Sequence, residues 1–295
     1  ALSATGNNAA TDLIPTLNAS GTPVSVSGSA SRQIIMGYFS RVTYNYKQKY
    51  LFNASLRYDG ASVLGDQNKW GLFPGISVGW KVDKENFWKI FPENLIQLKL
   101  RGSYGATGNI SGLGFYQAQG QYSTGTRYSG NPGIQITTLP NQDLKWEQSK
   151  TLDFGTDIGL LNNRIGIAFD VYRRVTDNLL TTLSLPPSTG FSSILTNYGS
   201  LENKGIEVEV SAQVLPSSSA FQWTISANVA NVHTKILKLP ANGIPNNRVG
   251  GVNVWDAKTK SYQWKGGLQE GGRIGDLYGF KQLSIYPTDG DAAAG

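Results

Sequence analysis

The residues most suited to nucleophilic chemistry are few in this sequence, and their spacing points away from catalysis. The stretch Gly75-Ile76-Ser77-Val78-Gly79 matches the G-x-S-x-G pattern of a hydrolase nucleophile, which needs a sharp strand-to-helix turn and a histidine base. These residues instead continue an alternating strand pattern, and no helix pattern follows them. The chain holds one histidine, His233, and no cysteine, so it lacks a thiol nucleophile and cannot build a zinc site from its histidine alone. The sequence therefore predicts no enzyme activity, no metal and no cofactor.

Two pairs of carboxylates could in principle support acid–base chemistry: Asp153 with Asp157, and Glu207 with Glu209. Spacings of four and two residues place the members of each pair on the same face of a strand. A water-filled lumen lined with charge accounts for both pairs without any catalysis. We therefore interpret them as parts of a polar wall.

Aromatic residues in the long loops are the remaining candidates for ligand binding. Flat rings cover the apolar faces of a sugar or a peptide, while neighbouring amide and charged side chains fix its orientation. Packing of the loops within the protein is the competing explanation for the same residues. The candidate substrate contacts are Tyr116, Tyr122, Trp255, Tyr262 and Trp264.

The elements that would position these residues are predicted from a hydrophobic period of two. In Ile206-Glu207-Val208-Glu209-Val210-Ser211 every second residue is apolar, and the glutamates fall on the other parity. Arg173 is an exception to this rule, and we expect it to lie at a strand end where its long side chain reaches water. Eight candidate strands follow the rhythm, within residues 38–46, 52–59, 76–81, 96–101, 152–158, 164–171, 206–211 and 221–226.

Composition narrows the class of protein. The chain has 295 residues, of which 35 are glycine, with 11% aromatic and only 16% charged residues, and this mixture favours strands and turns over helices. No stretch approaches the roughly 18 consecutive apolar residues of a transmembrane helix, whereas the strands of an outer-membrane barrel are only half apolar. The net charge of +6 comes from scattered basic residues. Since nucleic-acid binding requires a clustered basic stripe, nucleic acid is not an expected partner.

Loop lengths help to separate a membrane barrel from a soluble sandwich, because alternation alone fits both. Most short turns are expected at one rim and the long loops at the other, as in a transmembrane barrel. We predict an extracellular loop over residues 1–32, eight barrel strands over 33–236, a long extracellular loop over 237–273 and the start of a further barrel strand over 274–295. The predicted fold is all-β, an antiparallel meander that forms part of a large transmembrane outer-membrane β-barrel.

An ordered set of stretches resembles the SusC/RagA-type TonB-dependent transporters of Bacteroidetes outer membranes. No single motif is decisive, but the order and spacing of the set look like the barrel of that family. The resembling stretches lie within residues 37–41, 55–60, 70–80, 98–109, 141–147, 170–180 and 197–207, and they include Trp70-Gly71-Leu72-Phe73-Pro74 and Asn203-Lys204-Gly205-Ile206-Glu207.

The resemblance implies a barrel of about 22 strands with a plugged lumen, located in the cell outer membrane and surrounded by the lipid bilayer. It also implies TonB-driven import of glycans or peptides together with a SusD-like surface lipoprotein, and only the family makes us favour glycans. The chain shows no recognisable plug, TonB-contacting segment or closing C-terminal strand. Eight or nine strands would leave an open edge in lipid. We therefore expect this chain to be a fragment of the barrel, and we expect the TonB complex to bind a plug that lies outside this chain.

Two alternatives stay open at this point. A SusC-like subunit recruited as a scaffold in an outer-membrane export or assembly complex would have the same barrel wall. A soluble all-β carbohydrate-binding protein would show the same alternation, but its two sheets would turn their apolar faces together. The barrel and the sandwich differ in whether six apolar residues face outward: Ile165, Ile167, Phe169, Ile206, Val208 and Val210.

Overall fold

The computed structural model of the protein describes residues 2–9, 20–28, 31–92, 95–215, 218–256 and 258–279. These residues form β-strands and their connections, and the only helical elements among them are short 3-10 turns. No helix in this described part of the chain is long and apolar enough to cross a membrane. The all-β fold predicted from the alternation is confirmed.

The strands fall into one large sheet and smaller hairpins. They are β1 (Leu2–Ala9), β2 (Ser20–Gly28), β3 (Ile35–Tyr46), β4 (Tyr50–Ala61), β5 (Trp70–Lys81), β6 (Ile96–Asn109), β7 (Gln121–Tyr128), β8 (Asn131–Thr138), β9 (Glu147–Leu160), β10 (Ile165–Ser184), β11 (Ser193–Gln213), β12 (Thr224–Lys238), β13 (Val252–Asp256) and β14 (Ser261–Lys265).

The large sheet is an eight-stranded antiparallel meander with the order β3-β4-β5-β6-β9-β10-β11-β12. The β7–β8 hairpin belongs to the connection between β6 and β9. Within the described residues, the edge strands β3 and β12 do not pair with each other. The sheet is therefore an open segment, as expected for part of a barrel.

The strand register gives this sheet one apolar face and one polar face. Phe169 of β10 lies beside Val208 of β11, and the next residue, Asp170, lies beside Glu207. Directly opposed residues of antiparallel strands share a face. We call the face that carries Phe169 and Val208 the apolar face, and the face that carries Asp170 and Glu207 the polar face.

No second layer covers the apolar face among the described residues. Phe154, Phe169 and Val229 are 59%, 41% and 70% exposed there, whereas a sandwich would pack such side chains against a second sheet. The arrangement therefore contradicts the soluble sandwich. The six residues chosen to separate the alternatives all lie on this uncovered face: Ile165, Ile167, Phe169, Ile206, Val208 and Val210.

Connections of different length leave the two ends of the strands. Residues 47–49 and 161–164 are tight turns, and Asn162 and Asn163 have φ of 59° and 62°, a conformation that Asn tolerates better than most residues. The same end carries the connections 82–95 and 214–223, and we call it the short-turn rim. The opposite end, the long-loop rim, carries residues 62–69, 110–146, 185–192 and the chain after Lys238.

The connection over residues 82–95 folds against the short-turn rim. It contains two 3-10 turns, Val82–Lys84 and Asn86–Ile90. Glu85 lies between the turns and accepts hydrogen bonds from Lys49, Tyr50 and Trp80. The Lys49 ammonium, followed by the Tyr50 hydroxyl, holds the pKa of the Glu85 carboxyl below its usual value.

Two strands of the sheet are much longer than the alternation predicted. β10 has 20 residues and β11 has 21, because their backbone pairing continues to Ser184 and Ser193 after the apolar alternation has ended. Arg173 is thus the ninth residue of β10. The expectation that it lies at a strand end was wrong.

Hairpins lie within the segments predicted as loops. β1 and β2 pair within residues 1–32, and β13 and β14 pair within residues 237–273. Arg273 forms an isolated antiparallel bridge with Lys235 of β12, while residues 280–295, most of the predicted further strand, lie outside the described residues. The segment boundaries and their sides of the membrane stay predictions.

A small hydrophobic core lies at the long-loop rim. Leu64 is fully buried, and the indole of Trp146 donates a hydrogen bond to the Lys69 carbonyl over 3.0 Å. This packing joins the loop of residues 62–69 to the loop of residues 110–146. The core comprises Ala61, Val63 and Leu64, with Ile110, Leu113 and Trp146 packed against them.

Candidate functional site

A network of charges occupies the polar face near the middle of the sheet. Arg101 of β6 donates from Nε to Asp157 over 3.0 Å and from Nη2 to Asp170 over 2.7 Å. Its Nη1 lies 3.7 Å from a carboxylate oxygen of Asp153, and Lys99 donates to Asp157 over 2.9 Å. Two cations therefore balance most of the charge of three carboxylates.

A glycine allows Arg101 to reach Asp170, although their strands are not neighbours. Gly155 of β9 lies between them in register, paired with Arg101 on one side and with Asp170 on the other. A Cβ atom at Gly155 would clash with both the Asp170 carboxylate and the Arg101 guanidinium. The absence of a side chain at this position therefore opens the path for the ion pair across β9.

The arrangement suits recognition of polar groups rather than catalysis. Every carboxylate in the network has a cationic neighbour, so it offers no unpaired acid and base facing each other. Towards the short-turn rim the polar face forms an open depression of about 610 Å³, lined by Lys81, Lys99, Asp157 and Glu209 among others. No cluster of three or more metal-ligating side chains occurs in the described residues.

Ser77 lies in the middle of β5, where it pairs with Asn53 and Ser103. The sharp strand-to-helix turn of a nucleophile elbow is therefore missing at this position. His233 belongs to β12 at the sheet edge and pairs with Lys204 of β11. These placements agree with the interpretation of Gly75–Gly79 as ordinary strand.

Three of the five candidate aromatic residues come together on one hairpin. Trp255 of β13 pairs directly with Tyr262 of β14, and their rings meet edge to face with centroids 5.3 Å apart. Trp264 follows Tyr262 by two residues and so lies on the same face of the hairpin. Trp255 and Tyr262 are 53% and 68% exposed, which leaves their rings available for contact with a ligand.

Polar contacts at its base hold this hairpin to the sheet. Arg248, which is buried, donates to the Gly266 carbonyl and to the Gln269 side chain. Glu270 accepts hydrogen bonds from the Leu239 amide and from Asn247, and these two donors, the amide first, hold the pKa of its carboxyl below its usual value. The hairpin is thereby fixed to the end of β12.

The other two candidates lie on a different loop. Tyr116 has a φ of 60° in the loop after β6, and Tyr122 lies in β7 opposite Ile136. Both rings are exposed. Both belong to the connection between β6 and β9 rather than to the β13–β14 hairpin, so they form a separate group.

Sequence reasoning found two of the three carboxylates of the network but missed its centre. Asp153 and Asp157 were recognised from their spacing, whereas Arg101 and Asp170 lie 69 positions apart. The available signal was shared parity, because both residues fall on the polar side of alternating strands. Only the order of the strands could bring them together.

Comparison with known proteins identifies the family. The family model described as "TonB dependent receptor-like, beta-barrel" matches residues 3–291. A TonB-dependent receptor of Formosa agariphila is 35% identical over 275 residues, which cover 92% of this chain and 24% of that protein. The TonB-dependent receptor SusC of Bacteroides thetaiotaomicron is 36% identical over 220 residues, which cover 71% of this chain and 21% of that protein.

A solved structure supports the same fold. The RagAB peptide transporter matches with a TM-score of 0.70 and 26% identity, over 78% of this chain and 25% of the other. The chain thus belongs to the TonB-dependent receptor β-barrel family, with SusC and RagA as similar members, and it spans about a quarter of the length of the curated relatives it matches. The barrel of this family lies in the outer membrane.

Proposed function

We propose that the protein to which this chain belongs imports large polar nutrients across the outer membrane, with this sheet as part of the barrel wall. The observation that carries the proposal is the division of one sheet into an uncovered apolar face and a charged polar face. The apolar face suits lipid, and the polar face suits a water-filled lumen. Family membership supplies TonB-dependent transport as the activity for such a wall.

The substrate class we propose is an oligosaccharide, with a peptide as the rival. Similarity to SusC underlies the first choice, and similarity to a protein described as a peptide transporter underlies the second. The proposed contacts are the exposed rings of Trp255, Tyr262, Tyr116 and Tyr122, together with the half-buried ring of Trp264. Rings of this kind suit sugar faces and peptide side chains alike.

The proposed partners are a SusD-like surface lipoprotein and the TonB complex. The lipoprotein would cover the long-loop rim, where the hairpins lie, and the TonB complex would act through a plug outside this chain. The lipid bilayer is the partner of the apolar face. We propose no catalytic role, because the carboxylates of the network are paired with cations.

The test is purification of the tagged full-length protein from its own outer membrane, combined with uptake of labelled oligosaccharides and peptides by intact cells. We expect a SusD-like lipoprotein to copurify and uptake of one ligand class to stop when TonB is deleted. Copurification of secretion or assembly components, with uptake unchanged in cells that lack the protein, would contradict import. That result would instead support the scaffold alternative.

A further inference from the structure

Charged residues interrupt the apolar face in two neighbouring rows of the sheet. Arg173 of β10, Lys204 of β11 and His233 of β12 are paired in register, so they form a row across three strands. In the next row towards the long loops, Glu202 pairs with Lys235, and Lys235 bridges to Arg273. We call the two rows formed by these residues the cationic rows.

The level of the cationic rows matches a membrane interface. The apolar side chains of β10 run from Ile165 to Val171, about 20 Å along the strand at the usual rise and about 15 Å along the membrane normal at a tilt of about 40°. An apolar band in an outer-membrane barrel is about 25 Å tall, and long basic side chains beside the apolar stretch reach the headgroups by extending over the rest of the band. Arg173 follows directly on the long-loop side of this stretch, where the headgroups of one leaflet would lie.

The rows carry a net positive charge. Arg173, Lys204, Lys235 and Arg273 are cationic, and Glu202 is the only carboxylate among the members of these rows, which are all described. Glu202 is buried, with 6% exposure, and it accepts from Arg173 over 2.6 Å and from Lys204 over 2.9 Å. One carboxylate thus fixes two cations, while both cationic side chains stay more than half exposed.

An apolar depression lies beside these cations on the same face. It has a volume of about 560 Å³, and its lining includes Leu152, Phe154, Val171 and Ile206 next to Arg173 and Lys204. A fixed pair of cations above an apolar depression complements a molecule with an anionic head and a hydrocarbon tail. Since guanidinium and ammonium groups both bind phosphate strongly, the expected head is a phosphate.

We propose that the cationic rows bind the phosphate of an anionic lipid in the leaflet at the long-loop rim, with an acyl chain of that lipid in the adjoining depression. The proposal needs only that the apolar face contacts lipid, and it is independent of the imported substrate. Arg173 and Lys204 make the direct contacts, and Glu202 is a positioning residue that acts through them.

The test is native mass spectrometry of the full-length protein in detergent, titrated with phosphatidylglycerol. The double variant Arg173→Gln/Lys204→Gln is expected to bind this lipid about tenfold more weakly or worse, since two charge-assisted hydrogen bonds are lost. The matched control is Arg41→Gln/Arg174→Gln, which removes the same charge from one row of the polar face and is expected to bind as the unmodified protein does.

A second variant is needed if the double variant fails to fold because Glu202 is left without a cationic partner. Arg173→Gln/Glu202→Gln/Lys204→Gln removes that carboxylate as well and is expected to show the same loss of binding. An equal loss in the polar-face control, or unchanged binding in the triple variant, would overturn the proposal. Displacement of the lipid by inorganic phosphate at similar concentration would also overturn it, because the site would then recognise an anion without its acyl chain.

Discussion

Arg101 and Asp170 form a two-contact ion pair across an intervening strand, with Nη1 and Nη2 of the arginine 2.6 Å and 2.7 Å from the two carboxylate oxygens. Gly155 lies between them in register. The ion pair links β6 to β10 in addition to the backbone hydrogen bonds that each of these two strands makes with β9. It also sets the shape of the polar face at the centre of the sheet.

The first prediction concerns that glycine. Gly155→Ala should lower the stability of the folded barrel by about 1 to 3 kcal/mol, because the added methyl group clashes with the ion pair. The matched control is Gly105→Ala, where the nearest atom to the new Cβ would be 3.9 Å away. The measurement is thermal unfolding of the full-length protein in detergent, and equal stability of the two variants would refute the role of Gly155.

The second prediction concerns pH. The pKa of Glu85 is lowered in the folded state, so its ionised form stabilises the connection above the unfolded pKa, and this contribution is lost as the pH falls through the folded pKa. Proteolysis of residues 82–95 in the full-length protein should therefore accelerate as the pH is lowered towards and below the usual range of a glutamate. Glu85→Gln should be cleaved faster at neutral pH and should show a weaker pH dependence.

The control for the pH experiment is Asp83→Asn, which removes a neighbouring carboxylate in the same connection. If Asp83→Asn flattens the pH dependence as much as Glu85→Gln does, the contacts of Glu85 with Lys49, Tyr50 and Trp80 are not its cause. A protease that acts at acidic as well as neutral pH is needed, with its own pH dependence measured on an unfolded substrate.

The third prediction concerns the small core at the long-loop rim. Leu64→Ala should cost about 2 to 5 kcal/mol of local stability, because a fully buried side chain is replaced by a cavity. The loop of residues 110–146 should then exchange its amide hydrogens faster. Leu277→Ala is the control, since Leu277 is 98% exposed, and faster exchange in that variant to the same extent would argue against a core at Leu64.

The sequence was sufficient to predict the sheet and its two faces, but not the extent of each strand. The alternation of apolar and polar residues indicates a strand only where one face of that strand is apolar. The charged Arg173 on the apolar side therefore suggested the end of a strand, whereas the β10–β11 pairing continues beyond it. The pairing of Trp255 with Tyr262 required the turn of the hairpin. The Arg101–Asp170 contact required knowledge that β9, and not β7 or β8, lies between their strands.

The fourth prediction concerns the aromatic hairpin. Replacing Trp255, Tyr262 and Trp264 with alanine in the full-length protein should weaken ligand binding by about 1 kcal/mol or more for each ring that contacts the ligand. Val252→Ala is the control, because Val252 lies on the opposite face of the same hairpin. Ligand binding is measured by calorimetry. If the affinity is unchanged in the triple variant, these rings only pack the loop.

The central claim is that the apolar face of this sheet contacts lipid and the polar face contacts water. This chain contains no cysteine, so single cysteines can be placed at Glu207, Val208, Glu209 and Val210 once any others in the full-length protein are replaced. Spin labels at these sites, in the protein reconstituted into bilayers, report contact with oxygen in lipid or with a water-soluble nickel complex. We predict oxygen contact at 208 and 210 and nickel contact at 207 and 209, whereas equal accessibility at all four positions, or the reverse alternation, would contradict the account.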